Sequence, residues 1–118
     1  MIKLFISDVD GVLTDGSMYY SENGNEIKKF STYDGMGFVL LKKRGIKTAI
    51  ITSEKTEIVK NRANKLDIDF VEQGVSGKNK LSVAKKICKQ NNIPFTSVSY
   101  IGDDLNCFEL LESVNYKA

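Results

Sequence analysis

The chain has 118 residues, one domain's length, and its 42% hydrophobic and 27% charged residues are ordinary globular composition rather than disorder or a membrane protein. The formal charge is only +2 and the lysines are scattered, which excludes the basic stripe of a nucleic-acid binder. There is no histidine, which removes Ser-His-Asp and Cys-His catalysis, histidine zinc sites and imidazole proton shuttles.

Residues 2–7 form an apolar run with one lysine, the pattern of a strand buried on both faces. The run is too short for a signal-peptide core or a membrane span, so a cytoplasmic protein is expected. Residues 18–20 and 26–30 flank Asn23-Gly24, the strongest short-range hairpin signal, and predict a small antiparallel flap. Residues 36–44, after Gly35, read as a helix and residues 47–52 as a second buried strand. Residues 56–66 place Ile58, Val59, Ala63 and Leu66 on one helical face, and a short strand follows at 69–71. A helix over 79–91 carries Leu81, Ala84, Ile87 and Cys88, and Pro94 separates it from a strand at 97–101. A last helix runs through Leu105, Phe108, Leu110 and Leu111, and residues 114–118 read as the start of another strand. Alternating strands and helices predict an α/β fold, a doubly wound Rossmann-like parallel sheet with its crevice at the carboxyl ends of the strands. Cys88 and Cys107 are too few for a thiolate metal site; they fit a reducing compartment, with a disulfide between them left open.

Four strand ends carry the candidate chemistry. Asp8-Val9-Asp10-Gly11 follows the first strand and Gly102-Asp103-Asp104 follows the strand at 97–101. Either aspartate of the second pair suits a helix cap, and Asp and Gly are ordinary turn residues. In a parallel sheet, however, both acidic groups enter one crevice. Two carboxylates 4 Å apart repel by about 4 kcal/mol at an effective dielectric of 20, so a hard cation such as Mg2+ is expected among them. Thr52 and Ser53 end the second strand, as hydroxyl donors or as helix caps. Lys80, or its rival Lys78, opens the 79–91 helix, where a lysine opposes the helix dipole. A phosphate-loop reading fails, because Glu72 and Asn79 occupy its glycine and hydroxyl positions.

In this order, Asp-x-Asp, Thr, Lys and Gly-Asp-Asp resemble the four motifs of haloacid dehalogenase-type phosphatases. The stretch Asp8 through Gly16 is similar to the first motif of their capless branch, which hydrolyses 3-deoxy-octulosonate 8-phosphate and nonulosonate 9-phosphates. So are Asn25-Glu26-Ile27-Lys28-Lys29-Phe30, Asp34-Gly35-Met36-Gly37 and Tyr100-Ile101-Gly102-Asp103-Asp104-Leu105-Asn106. The resemblance implies a phosphoric monoester hydrolase in which Asp8 is the nucleophile and Asp10 the general acid and base. It implies Mg2+ on the Asp8 and Asp103 carboxylates and the Asp10 carbonyl, with Asp104 behind them. Thr52 and Lys80 would hold the phosphoryl group.

Ser53-Glu54-Lys55-Thr56-Glu57-Ile58-Val59 and Tyr33 look like the nonulosonate members, so a sialic-acid-type nonulosonate 9-phosphate is the expected substrate. Ser53, Glu54 and Lys65 would contact it. The alternatives are an octulosonate 8-phosphate, which would mean lipopolysaccharide synthesis, and a weakly active or non-catalytic oligomerisation module of the same fold. Cys107 takes a position where relatives often place another acid. The resemblance also implies a homotetramer, whose hairpins and neighbouring subunits cover the crevice. Relatives continue beyond the position of Ala118 with more sheet, a helix and an Arg-containing tail. The expectation here is one phosphatase domain over residues 1–118 without a cap domain and without that segment. A two-component receiver domain is a rival of similar length, disfavoured because Val71 is followed by Glu72 rather than a phosphoacceptor aspartate.

Overall fold

The first strand takes the centre of the sheet because its side chains are apolar toward both faces. The computed structural model describes residues 1–103 and 105–118, and of Asn106 the backbone alone. Strand β1 (Leu4–Ser7) pairs in parallel with β4 (Lys47–Ile51) on one side and β6 (Val98–Ile101) on the other. Strand β5 (Phe70–Glu72) lies outside β4, and β7 (Tyr116–Lys117) lies outside β6. The order β5-β4-β1-β6-β7 therefore reverses direction at β1. In such a sheet the ligand crevice opens where the order reverses, between the carboxyl ends of β1 and β6. A receiver domain would set its first strand between the second and third parallel strands. Here β1 sits between the second and the fourth, and that rival falls.

Alternation along β1 assigns the two cores. Leu4 and Ile6 face α3 (Gly77–Gln90) and α4 (Phe108–Ser113), together with Ala49, Ile51, Ala84, Ile87, Val98 and Tyr100. Phe5 faces the opposite side, where α1 (Thr32–Lys43) and α2 (Glu57–Leu66) bury Phe38, Val59 and Ala63 over Ile50. The Phe5 and Phe38 rings meet edge to face, 5.9 Å between centroids, a favoured aromatic geometry.

The flap is a separate two-stranded antiparallel ribbon, β2 (Tyr19–Tyr20) and β3 (Glu26–Ile27). Gly24 turns it with φ +84°, a conformation open to glycine at little cost. A bridge between Thr14 and Phe30 ties its base to the segment after β1. No cap domain is inserted among the described residues.

Several boundaries depart from the sequence reading. Strand β1 starts at Leu4 rather than residue 2, and α1 starts at Thr32 rather than residue 36. The earlier start follows from Ser31, whose Oγ accepts the Tyr33 N–H at 3.2 Å and caps the helix ahead of its two glycines. Helix α3 likewise begins at Gly77, two residues early. After Gly102 the chain first makes a 3-10 turn, Leu105–Cys107, so that Leu105 and Phe108 are exposed and Leu110 is buried. Both cysteines are free and buried, which closes the disulfide alternative. Among the described residues no helix is long and apolar enough to cross a membrane.

Candidate active site

Asp8 is the first residue past β1, and its carboxylate is enclosed on three sides. The Val9 N–H donates to Oδ1 at 2.8 Å and Lys80 Nζ stands 3.5 Å from the same oxygen. The Cys107 thiol donates to Oδ2 at 3.3 Å, and Lys80 Nζ in turn donates to Cys107 Sγ at 3.6 Å. Lys80 arrives there because the loop before α3 is pinned to the end of β4, the Val75 N–H donating to the Thr52 carbonyl at 3.0 Å. One turn into the helix its side chain is 1% exposed, a burial that a lysine tolerates only when paired. Lys78 stays on the exposed side of α3, so of the two lysines only Lys80 reaches Asp8.

Asp10, two residues on, is held from the flap. Lys28, just past β3, places Nζ 2.7 Å from Asp10 Oδ1, 2.9 Å from Glu26 Oε1 and 3.2 Å from Glu54 Oε2. Burial works against the Lys28 ammonium, but the hydrogen bonds it donates to Asp10, Glu26 and Glu54 outweigh it and push its pKa well above the usual lysine value. The carboxylate crowding expected from the sequence is thus relieved in part by two ammonium groups, Lys80 at Asp8 and Lys28 at Asp10.

Thr52, buried at the end of β4, lines the same cleft with Ser53, Glu54 and Asp103. The cleft has a volume of about 260 Å³, with the flap residues Met18, Glu26 and Lys28 on its rim. Asp103 lies against the chain after β1: a Cβ added to Gly11 would sit 1.7 Å from Asp103 Oδ2. That cradle brings the Asp103 carboxylate beside the Asp8–Asp10 turn, and an all-oxygen donor set of this kind suits a hard divalent cation. Among the described residues no three acidic or thiol side chains cluster as ligands. The carboxylates that line the cleft and could take part in holding such an ion are Asp8, Asp10 and Asp103. Asp104 lies outside the described residues.

Lys65 is not brought to the cleft. It is exposed in the last turn of α2, which runs back from the carboxyl edge of the sheet, and the ammonium beside Glu54 is Lys28 instead. Tyr33 likewise stands on the exposed face of α1, outside the cleft. Lys28 and Cys107 are site residues to which sequence reasoning gave no role. A lysine in a strand-end acidic motif was the available hint for Lys28, and for Cys107 it was its place three residues after Asp104, where relatives often carry another acid.

Comparison with known proteins places this geometry. The model of the haloacid dehalogenase-like hydrolases matches residues 6–110. The chain is 40% identical over 113 residues to the 3-deoxy-D-manno-octulosonate 8-phosphate phosphatase KdsC of Escherichia coli, covering 96% of this chain and 59% of that one. It thus spans well under two thirds of that curated relative. The fold is similar to that of the Moraxella catarrhalis 3-deoxy-D-manno-octulosonate 8-phosphate phosphatase in complex with magnesium, phosphate and KDO. The TM-score is 0.90 at 39% identity, over 96% of this chain and 64% of that one. A cobalt-bound deoxy-D-mannose-octulosonate 8-phosphate phosphatase from Haemophilus influenzae gives a TM-score of 0.90 at 32% identity, over 98% and 67% of the two chains. With the sheet, the uncapped crevice and the matched residues in agreement, this chain belongs to the haloacid dehalogenase-like hydrolase family.

Proposed function

We propose that this chain is the catalytic core of a Mg2+-dependent phosphatase acting on a 3-deoxy-octulosonate 8-phosphate through an aspartyl-phosphate. The observation that carries the reaction type is the Asp8 carboxylate, fixed by the Val9 N–H and by buried Lys80 at the reversal point of the sheet. An Asp8 oxygen attacks phosphorus and the bond from phosphorus to the sugar oxygen breaks, while Asp10 gives that oxygen a proton. Asp10 then takes a proton from water, which attacks phosphorus, releasing inorganic phosphate and restoring Asp8. Lys80 and the Thr52 hydroxyl face the equatorial oxygens, where phosphoryl transfer needs positive charge and hydrogen-bond donors. Mg2+, held by Asp8, Asp103 and the Asp10 carbonyl, would neutralise phosphoryl charge when bound.

The sugar rests on the relatives. Those named above are octulosonate 8-phosphate phosphatases, and they favour that substrate over the nonulosonate 9-phosphate suggested by residues 53–59 and Tyr33. Glu54 and Ser53, on the cleft wall, remain the substrate-contacting candidates. A homotetramer in the cytoplasm completes the proposal, supported by the exposed Met18, Tyr20 and Ile27 on the flap, an apolar surface suited to burial between subunits. The test is phosphate release from both sugar phosphates with and without EDTA. Mg2+-dependent release, faster from the octulosonate, is expected. Release that ignores EDTA, or a preference for the nonulosonate, would overturn the reaction or the sugar respectively.

A further inference from the structure

We propose that Lys28 is the positioning residue for Asp10, holding its Oδ1 from the flap side so that Oδ2 serves the proton transfer to the leaving oxygen. The proposal rests on the phosphatase reading above and adds a role for a residue that the reading does not use. Lys28 belongs to a flap whose own strands are largely exposed and contribute nothing to either core cluster, yet its side chain is 6% exposed.

An ammonium has three N–H donors. The three carboxylates come from three places: Asp10 after β1, Glu54 after β4 and Glu26 on β3 itself, at 2.7, 3.2 and 2.9 Å. With all three donors engaged, none is left for a substrate anion, so the function of the group is directed at its partners. Of these, Asp10 alone is placed to transfer a proton, while Glu54 is a substrate-contacting candidate. Its Oδ2 has no protein hydrogen bond among the described residues, and the side chain is 43% exposed to the cleft mouth. The carboxyl is therefore tethered by one oxygen and open at the other, as an acid serving a bound alcohol must be. Glu26 and Glu54 fix the ammonium in turn, which links Asp10's orientation to the seating of the flap.

The experiment compares two substrates that differ in their need for a proton. A sugar alkoxide leaves only when protonated; 4-nitrophenolate leaves without a proton. Wild type and Lys28→Met are assayed on octulosonate 8-phosphate and on 4-nitrophenyl phosphate, with folding checked by circular dichroism. The expected result is a loss of kcat of about 100-fold on the sugar phosphate, the lower range for general acid catalysis, and under about 10-fold on the aryl ester. If Lys28→Met does not fold, Lys28→Cys before and after aminoethylation, which rebuilds the ammonium, gives the same comparison in a Cys88→Ala, Cys107→Ser background that removes the two native thiols; selective recovery on the sugar phosphate is expected. Equal losses on the two substrates, or no loss, would overturn the positioning role. A wild type inert on both would instead overturn the phosphatase reading on which this role depends.

Discussion

Lys80 Nζ stands 3.5 Å from Asp8 Oδ1 with the lysine side chain 1% exposed and the aspartate nearly as enclosed. Two opposite charges share one buried space, so each is tolerable only while the other is present. Removing the ammonium by Lys80→Met leaves Asp8 uncompensated and is expected to cost about 3–5 kcal/mol in urea denaturation, along with all turnover. The double variant Asp8→Asn with Lys80→Met should recover part of that stability and none of the activity. Additive losses in that cycle would mean the pair is not coupled.

Cys107 bridges the same two groups, donating to Asp8 Oδ2 and accepting from Lys80. A hydroxyl can do both, so Cys107→Ser should stay close to wild type in melting temperature and rate. Cys107→Ala strands a buried acceptor and a buried donor, at about 1–3 kcal/mol. Equal stability of the Ser and Ala variants would show that the thiol acts only as filler.

Gly11 combines φ +79° with direct approach to Asp103. A Cβ there meets the carboxylate at 1.7 Å, and the far end of that flexible side chain must swing away. Gly11→Ala should therefore lose about 1–2 kcal/mol to the left-handed backbone and, more tellingly, need a higher Mg2+ concentration for half-maximal rate. A metal requirement unchanged by Gly11→Ala would separate Asp103 from the cation site.

At the base of the flap the Tyr19 hydroxyl donates to Asp15, and this bond, with the Ser17 N–H behind it, holds the Asp15 carboxyl below its ordinary value of 3.8. A carboxylate depressed in the folded state stabilises above its unfolded value and loses that contribution as pH falls through the folded one. Tyr19→Phe should raise the Asp15 titration seen by carboxyl-carbon NMR and leave neutral-pH turnover unchanged. An unmoved Asp15 would show the hydrogen bond absent in solution.

The parts legible in the sequence were those set by local pattern. Apolar runs gave the parallel strands, Asn23-Gly24 gave the flap, and strand-end aspartates gave the acidic crevice. Helix starts were misjudged where Gly35 and Gly37 diluted the pattern and Ser31 set the boundary instead. The site residues without a prior role owe their positions to distant partners: Lys28 meets groups 18 and 26 positions away, and Cys107 meets Asp8 across 99. No local periodicity encodes such pairings. Lys65, expected on the cleft from the resemblance, stands exposed in the last turn of α2 and is not among the residues lining it.

The central claim is that Asp8 attacks phosphorus, and borohydride trapping during turnover tests it most directly. Reduction of an acyl phosphate converts its aspartate to homoserine, which peptide mass spectrometry locates. The account predicts homoserine at position 8, formed only with Mg2+ and substrate both present and absent from Asp8→Asn. Turnover with no label at Asp8, or with the label at Asp10 or Asp103, would contradict it.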